Sequence, residues 1–208
     1  MDYLYCFSCS LERLLVLENE ERAMISKDIP DWLKKQTWDF LQENNMGQRH
    51  MSNGTKAQQY TGLLGENMLR LIIGLQPKFV PGYDHGYDLE MNGVKVDVKT
   101  MGRTVDPKPT YVNNFIAFQK DLDAQVYVFC SINKLTNVFF VCGVISKKEL
   151  LDQGSFFPLG ALRYRDDKTT MRMKAPTYEI QNHLLIQIKD PVEIWSYTFY
   201  HEPSFLER

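Results

Sequence analysis

The chain lacks an excess of positive charge, an apolar run of membrane length and any internal repeat. Its 24 Lys and Arg residues against 26 Asp and Glu give a formal net charge of −2, which excludes a uniformly basic nucleic-acid binder. No stretch is apolar for long enough to span a bilayer, and the start of the chain lacks a basic segment followed by an apolar run of signal-peptide type. We therefore expect a cytoplasmic protein without a membrane partner.

Cysteine is also scarce, with four residues in 208. Cys6 and Cys9 form a C-x-x-C pair, but no second closely spaced Cys or His pair completes a tetrahedral metal site. Cys130 and Cys142 lie within apolar runs, where a reduced cysteine packs as a small hydrophobe. We expect all four to be reduced and structural.

What the chain does contain is a strong hairpin signal, Asn92-Gly93 between two alternating runs. This pair predicts a two-residue type I′ turn, whose central residues both need positive φ. The turn sets a register in which Asp88 lies directly opposite Asp97. Because side chains alternate between faces, one face gathers the charged residues Asp88, Glu90, Lys95, Asp97 and Lys99, while the other is apolar.

Two aspartates opposite each other destabilise a strand pair, so the pattern needs an explanation. One is a divalent cation shared by Asp88 and Asp97, since Mg²⁺ binds a few carboxylates together with waters and substrate phosphates. Lys99 would then lie beside the metal, where an ammonium stabilises charge on a phosphoryl group. The other explanation is an ordinary solvated sheet face on which Glu90 pairs with Lys95.

The motif of Asp88 followed, after eight residues, by Asp97-Val98-Lys99, with Glu66 on a helix upstream, resembles the PD-(D/E)xK nuclease superfamily of the restriction-endonuclease-like fold. The likeness covers about residues 56 to 150, and Tyr87 stands where the family name has proline.

The resemblance implies that Asp88 and Asp97 bind the metal, with the backbone carbonyl of Val98 as a further ligand. It implies that Lys99 is the catalytic lysine and that Glu66 serves a second ion or the metal's water. The residues alone leave another role open for Glu66, a helical ion pair with Arg70. The implied cofactor is Mg²⁺, with Mn²⁺ as a substitute, and a homodimer is a common arrangement in the family.

We expect an α/β fold with a restriction-endonuclease-like mixed β-sheet core flanked by helices. The predicted divisions are an N-terminal helical extension (1–55), the nuclease core (56–150) and a C-terminal β-hairpin extension packed on the core (151–208). Apolar periodicity predicts a helix opened by Asp28 or Asp31 and a second helix over 57–74. Strands are predicted at 78–80, 126–132, 138–145, 183–188 and 192–200, and Ser146 is the predicted cap of a short helix.

A second hairpin contains a strip of basic residues. If Tyr164 pairs with Met171, one face carries Arg163, Arg165, Arg172 and Lys174, and such a strip would neutralise phosphates. The alternative is a solvated face buffered by neighbouring acids. Two further cations, Arg103 and Lys108, follow Lys99 closely and are candidates for phosphate contacts, although exposed loop residues of this type are common.

These patterns together predict a Mg²⁺-dependent nuclease that hydrolyses DNA, acting either as an endonuclease or from DNA ends. The low net charge permits this, because steering depends on the field near the cleft more than on the total. The alternative is a catalytically inactive nucleic-acid-binding or assembly module on the same fold.

Overall fold

The structure is a computed structural model, and it describes residues 24–44, 54–82, 86–164 and 168–201. The helices are α1 (Asp31–Glu43), α2 (Lys56–Ile72), α3 (Lys147–Gln153) and α4 (Pro191–Tyr200). The strands are β1 (Ser26–Asp28), β2 (Leu89–Met91), β3 (Val94–Arg103), β4 (Val112–Ile116), β5 (Val126–Asn133), β6 (Val138–Ser146), β7 (Ser155–Phe157), β8 (Leu162–Tyr164), β9 (Thr170–Arg172) and β10 (Thr177–Gln181). Short 3-10 helices occupy Ala117–Asp121 and Asn182–Leu184.

The main sheet has five strands in the order β1-β6-β5-β3-β2. Strands β3 and β5 are parallel and the other pairs are antiparallel. The two nearly continuous apolar runs form β5 and β6, whose side chains are almost all buried, as strands covered on both faces require. A mixed α/β fold with flanking helices is thus confirmed, while the finer assignment to a restriction-endonuclease-like fold and the domain boundaries stay predictions.

Each face of the main sheet is covered by its own hydrophobic core. On one face the sheet packs against α1, α2 and α4, through residues such as Leu33, Leu69 and Ile194. On the other face it packs against the smaller sheet β4-β10-β7 and α3, through residues such as Phe115 and Leu150. As a result, the middle of strand β3 is covered on both faces, and the side chains of Asp97 and Lys99 do not lie on an open surface.

Both predicted helices are present, but α1 is not capped as expected. Its N-cap is Pro30, which makes no side-chain cap, and Asp31 instead pairs with Lys34 at 2.7 Å. Helix α2 begins with a capping box between Thr55 and Gln58, which satisfies backbone donors that the first turn leaves free. Ser146 caps α3 in the same way. In the described part of the chain, no helix has the length and apolar character needed to cross a membrane.

Three strand predictions are wrong. Residues 78–80 form no strand, because the Asn67 side chain binds the backbone of Lys78. The Lys78 N–H donates to Asn67 Oδ1 at 2.6 Å, and Asn67 Nδ2 donates to the Lys78 carbonyl at 3.2 Å. Residues 183–188 contain only the end of a 3-10 turn and one isolated bridge at Ile186. Residues 192–200 belong to α4, which starts with an Asp190 cap and Pro191 in its first turn, an arrangement that favours a helix over the strand suggested by alternating aromatics.

Helix α2 approaches β3 closely at one glycine. A Cβ added to Gly65 would lie 2.0 Å from Thr100 Oγ1, whereas a Cβ on Gly62 would meet nothing within 4 Å. Helix α2 therefore approaches the sheet closely at Gly65 and leaves open space at Gly62.

We predict that Gly65→Ala lowers the free energy of unfolding by about 1 to 3 kcal/mol, because the β-branched Thr100 side chain has little freedom to move away. The matched variant Gly62→Ala should raise it by up to about 1 kcal/mol through better helix propensity. Urea denaturation of both variants measures the difference. Equal effects of the two substitutions would contradict the packing seen between α2 and β3.

Candidate active site

The first hairpin forms with the predicted turn and register. Asn92 and Gly93 have φ values of 52° and 74°, and the paired residues are Met91 with Val94, Glu90 with Lys95, and Leu89 with Val96. Asparagine and glycine tolerate positive φ better than other residues. The prediction made from the turn is confirmed for these three pairs.

Asp88 departs from the predicted pairing. Its N–H donates to the Val96 carbonyl at 2.9 Å, so the chain leaves the ladder before Asp88 can pair with Asp97. The Asp88 carboxylate then accepts a hydrogen bond from the Val98 N–H at 2.7 Å. Direct opposition of the two aspartates is therefore wrong, and the Asp88 side chain occupies the place that a longer β2 would have taken beside β3.

Asp97 and Lys99 form a buried ion pair on β3. They are two residues apart and so share a face, with Lys99 Nζ 2.5 Å from Asp97 Oδ2 and side chains only 17% and 7% exposed. Burying a single charge at this depth is costly, and a close partner of opposite charge offsets that cost. The alternative of a solvated sheet face therefore does not hold at Asp97 and Lys99, which are covered, whereas Glu90 on the same hairpin is exposed.

Glu66 is linked to Asp88 by Arg70, a residue that the sequence did not suggest as functional. Arg70 Nε lies 3.0 Å from Glu66 Oε1, and the second terminal nitrogen of Arg70 donates to the Asp88 carbonyl at 2.5 Å. Both side chains are mostly buried, so the pair is not the exposed helical pair considered from the spacing. It connects α2 to the backbone of Asp88.

Tyr127 is a second residue that the sequence did not reveal. It is the register partner of Asp97 in the parallel β3–β5 pair, is completely buried, and packs edge-on against Phe115 with ring centres 4.9 Å apart. Within the described residues its hydroxyl has no hydrogen-bond partner. Burial raises the pKa of the Tyr127 hydroxyl well above its usual value, and the negative charge of Asp97 raises it further.

Arg103 was predicted to contact phosphate, but its guanidinium already makes contacts within the protein. Its guanidinium donates to Ser131 Oγ at 3.2 Å and to the Val112 carbonyl at 2.8 Å, and it lies 4.9 Å from the centre of the Tyr111 ring. Burial lowers the pKa of the Arg103 guanidinium from its usual value. Lys108, by contrast, has an exposed side chain.

The second hairpin is paired one residue away from the predicted register. Strands β8 and β9 pair Leu162 with Arg172 and Arg163 with Met171. Because a shift of one residue reverses the faces, Arg163 and Arg172 lie on opposite sides. The continuous basic strip is therefore wrong: Lys174 lies beyond the end of β9, and Arg165 lies outside the described residues.

Arg163 turns inward in this register. Its Nε lies 2.7 Å from Glu179 Oε2, and the Glu179 side chain is only 5% exposed. The pair lines a cavity of about 410 Å³ between the smaller sheet and the β8–β9 hairpin, together with residues such as Phe157 and Gln181. Leu162 and Tyr164, the neighbours of Arg163 on β8, are exposed. The buried Glu179 carboxylate is a physical reason for the register, because it needs a cation.

Asp88 and Asp97 are the residues at β3 that could hold a metal shared with substrate. Among the residues that the structure describes, no group of three or more His, Cys, Asp or Glu side chains could hold a metal ion. Mg²⁺, however, is commonly bound by one or two carboxylates plus waters and substrate phosphates. Asp88 and Asp97 fit that requirement, and the Val98 carbonyl points to the same strand edge as the Val98 N–H that Asp88 binds.

No family model, no curated protein and no solved structure matches this chain.

We predict that Lys99→Met lowers the free energy of unfolding by about 3 kcal/mol, because it leaves the Asp97 carboxylate buried without its cation. The double variant Lys99→Met/Asp97→Asn should recover most of this loss, since no unpaired charge remains. Thermal and urea unfolding of both variants test the prediction. A double variant that is no more stable than the single one would show that the pair contributes little.

A second prediction concerns Arg163 and Arg172, which share one face in the register predicted from the sequence. Arg163→Ala should lower the free energy of unfolding by about 2 to 3 kcal/mol because Glu179 loses its partner. Arg172→Ala, at an exposed site, should change it by less than about 0.5 kcal/mol. Adding Glu179→Gln to Arg163→Ala should restore part of the stability. Similar losses for the two arginine variants would favour the register predicted from the sequence.

Proposed function

We propose that this protein is a Mg²⁺-dependent nuclease that hydrolyses DNA phosphodiester bonds, with Asp88, Asp97 and Lys99 as its catalytic residues. The observation that carries the proposal is the hydrogen bond from the Val98 N–H to the Asp88 carboxylate. Val98 lies between Asp97 and Lys99, so this bond brings the three side chains to one short stretch of β3.

Each residue has a role that follows from its position. Asp88 and Asp97 would hold the metal, with the Val98 carbonyl as a further ligand, and Lys99 would stabilise negative charge on the phosphoryl oxygens. A bound Mg²⁺ would polarise the scissile phosphate and lower the pKa of a coordinated water. Hydrolysis joins the oxygen of a water to phosphorus and breaks the bond from phosphorus to the leaving oxygen.

Glu66 and Arg70 would keep Asp88 in place. Arg70 holds the Asp88 carbonyl while Glu66 holds Arg70, and a catalytic side chain needs a rigid support of this kind to keep its geometry. Glu66 also remains our candidate for a second ion or for the water of the metal.

The main sheet and α2 are proposed to form a restriction-endonuclease-like core. Support comes from the order of elements, in which helix α2 precedes the β2–β3 hairpin and β5 then lies parallel to β3. Contact with the DNA backbone is assigned to exposed cations near this core and on the second hairpin, namely Lys108, Arg172 and Lys174. Such contacts weaken as salt rises, because they release counterions from the DNA. A homodimer stays a prediction.

A second candidate function is a catalytically inactive nucleic-acid-binding or assembly module. The closed ion pair between Asp97 and Lys99 favours it, because each charge already has a partner and little exposed surface. The two candidates differ in whether a divalent metal binds at Asp97.

We expect the protein to cleave DNA in Mg²⁺, and Asp97→Asn to lose at least about 100-fold of this activity. Glu90→Gln is the matched control, since it removes the same charge from an exposed position on the same hairpin. The substrates are linear, circular, branched and single-stranded DNA. Calorimetry with Mn²⁺ should show binding to the parent protein and to Glu90→Gln but not to Asp97→Asn.

Two results would contradict the nuclease. One is cleavage by Asp97→Asn at the rate of the parent protein. The other is a parent protein that binds DNA in a salt-dependent way, cleaves none of the substrates and binds Mn²⁺ no better than Asp97→Asn. That second result would favour the inactive module.

A further inference from the structure

Beside Asp97 lies a hydrogen-bond donor without an acceptor, the Tyr127 hydroxyl. Tyr127 is completely buried, and among the residues described its hydroxyl has no partner. A buried hydroxyl without a hydrogen bond is destabilising, and phenylalanine would fill the same space against Phe115 at no such cost. We therefore expect the Tyr127 hydroxyl to have a hydrogen-bond partner in another state of the protein.

The candidate acceptor for this hydroxyl is the Asp97 carboxylate. The two residues are register partners on parallel strands, and neighbouring strands lie about 4.8 Å apart with paired side chains on the same face. Burial raises the pKa of the Tyr127 hydroxyl, and the negative charge of Asp97 raises it further. In the structure, the Asp97 carboxylate is paired with Lys99, whose Nζ lies 2.5 Å from Asp97 Oδ2.

Catalysis would disturb this arrangement. If Lys99 stabilises charge on the phosphoryl group, its ammonium must turn from Asp97 toward the substrate. Asp97 would then keep the proposed metal, but the oxygen that Lys99 contacts at 2.5 Å, Oδ2, would be a buried acceptor without a donor, and leaving a buried acceptor unsatisfied is costly. A neutral donor on the adjacent strand can take over part of that role.

We propose that Tyr127 is a positioning residue for Asp97: its hydroxyl donates a hydrogen bond to the Asp97 carboxylate whenever Lys99 leaves it. The inference rests on the proposed function for its catalytic meaning, whereas the hydrogen bond itself is a property of the fold. Tyr127 thereby keeps Asp97 charged and oriented while Lys99 is at the substrate.

A thermodynamic cycle tests the hydrogen bond without any activity assay. In the parent background, Tyr127→Phe should leave the unfolding midpoint unchanged or raise it, because the hydroxyl has no partner there. In the Lys99→Met background the hydroxyl becomes the donor to Asp97, and Tyr127→Phe should lower the midpoint by about 5 °C. Lys99→Gln replaces Lys99→Met if the latter does not fold.

Thr100→Val is the matched control. Among the residues that the structure describes, the Thr100 hydroxyl is also buried without a hydrogen-bond partner, but Thr100 faces helix α2 on the opposite side of β3. Its substitution should change the midpoint equally in both backgrounds. If Tyr127→Phe also acts equally in both, its hydroxyl does not reach Asp97 and the inference is wrong.

Kinetics give the second measurement. Tyr127→Phe should lower kcat for DNA cleavage about tenfold, as expected for loss of one hydrogen bond to a charged group, and leave KM unchanged, while Thr100→Val changes neither. A kcat within twofold of the parent value would overturn the positioning role. If the parent protein cleaves no DNA, the proposed function fails and the unfolding cycle alone decides the Tyr127–Asp97 hydrogen bond.

Discussion

The structure depends on one constraint: the middle of strand β3 is covered on both faces and still carries charged side chains. One face packs against α2 at the Gly65–Thr100 contact, and the other lies under the smaller sheet beside Tyr127. A charge in such a place must find a partner. The Asp97–Lys99 ion pair is the direct result. Because a buried ion pair gives little net stability compared with apolar residues of similar size, its presence directs attention to function.

A chain of polar contacts holds the edge of the same strand. Glu66 binds Arg70, Arg70 binds the Asp88 carbonyl, and the Asp88 carboxylate binds the Val98 N–H. This chain links helix α2 to β3 where β2 has ended. It supplies backbone partners that the short β2 does not provide, and it limits the positions available to the Asp88 carboxylate. The nuclease that we propose would need carboxylates that are held in this way.

The two hairpins show why register is the decisive quantity in reading β-strands. In the first, Asn92-Gly93 sets a turn with both φ values positive, and three cross-strand pairs form as the turn predicts. In the second, the sequence Asp166-Asp167-Lys168-Thr169 between the two runs contains no comparable signal, and the pairing is shifted by one residue from the prediction. The shift moves Arg163 from a supposed surface strip to the buried Glu179. A pattern of charges along a strand therefore indicates a binding surface only when something local sets the register.

The sequence by itself determined the elements whose signals are local. These are the Asn92-Gly93 turn, the buried strands β5 and β6, the capping of α3 by Ser146 and the shared face of Asp97 and Lys99. Turn geometry, caps and side-chain alternation act over a few residues, so the sequence encodes them directly. The tertiary structure alone decided the rest, namely the inward turn of Arg163, the hydrogen bond of Asp88 to Val98, the contact of Arg70 with Asp88 and the place of Tyr127 beside Asp97. Each of these brings together residues from different parts of the chain, which local signals cannot encode because only the folded chain makes them neighbours.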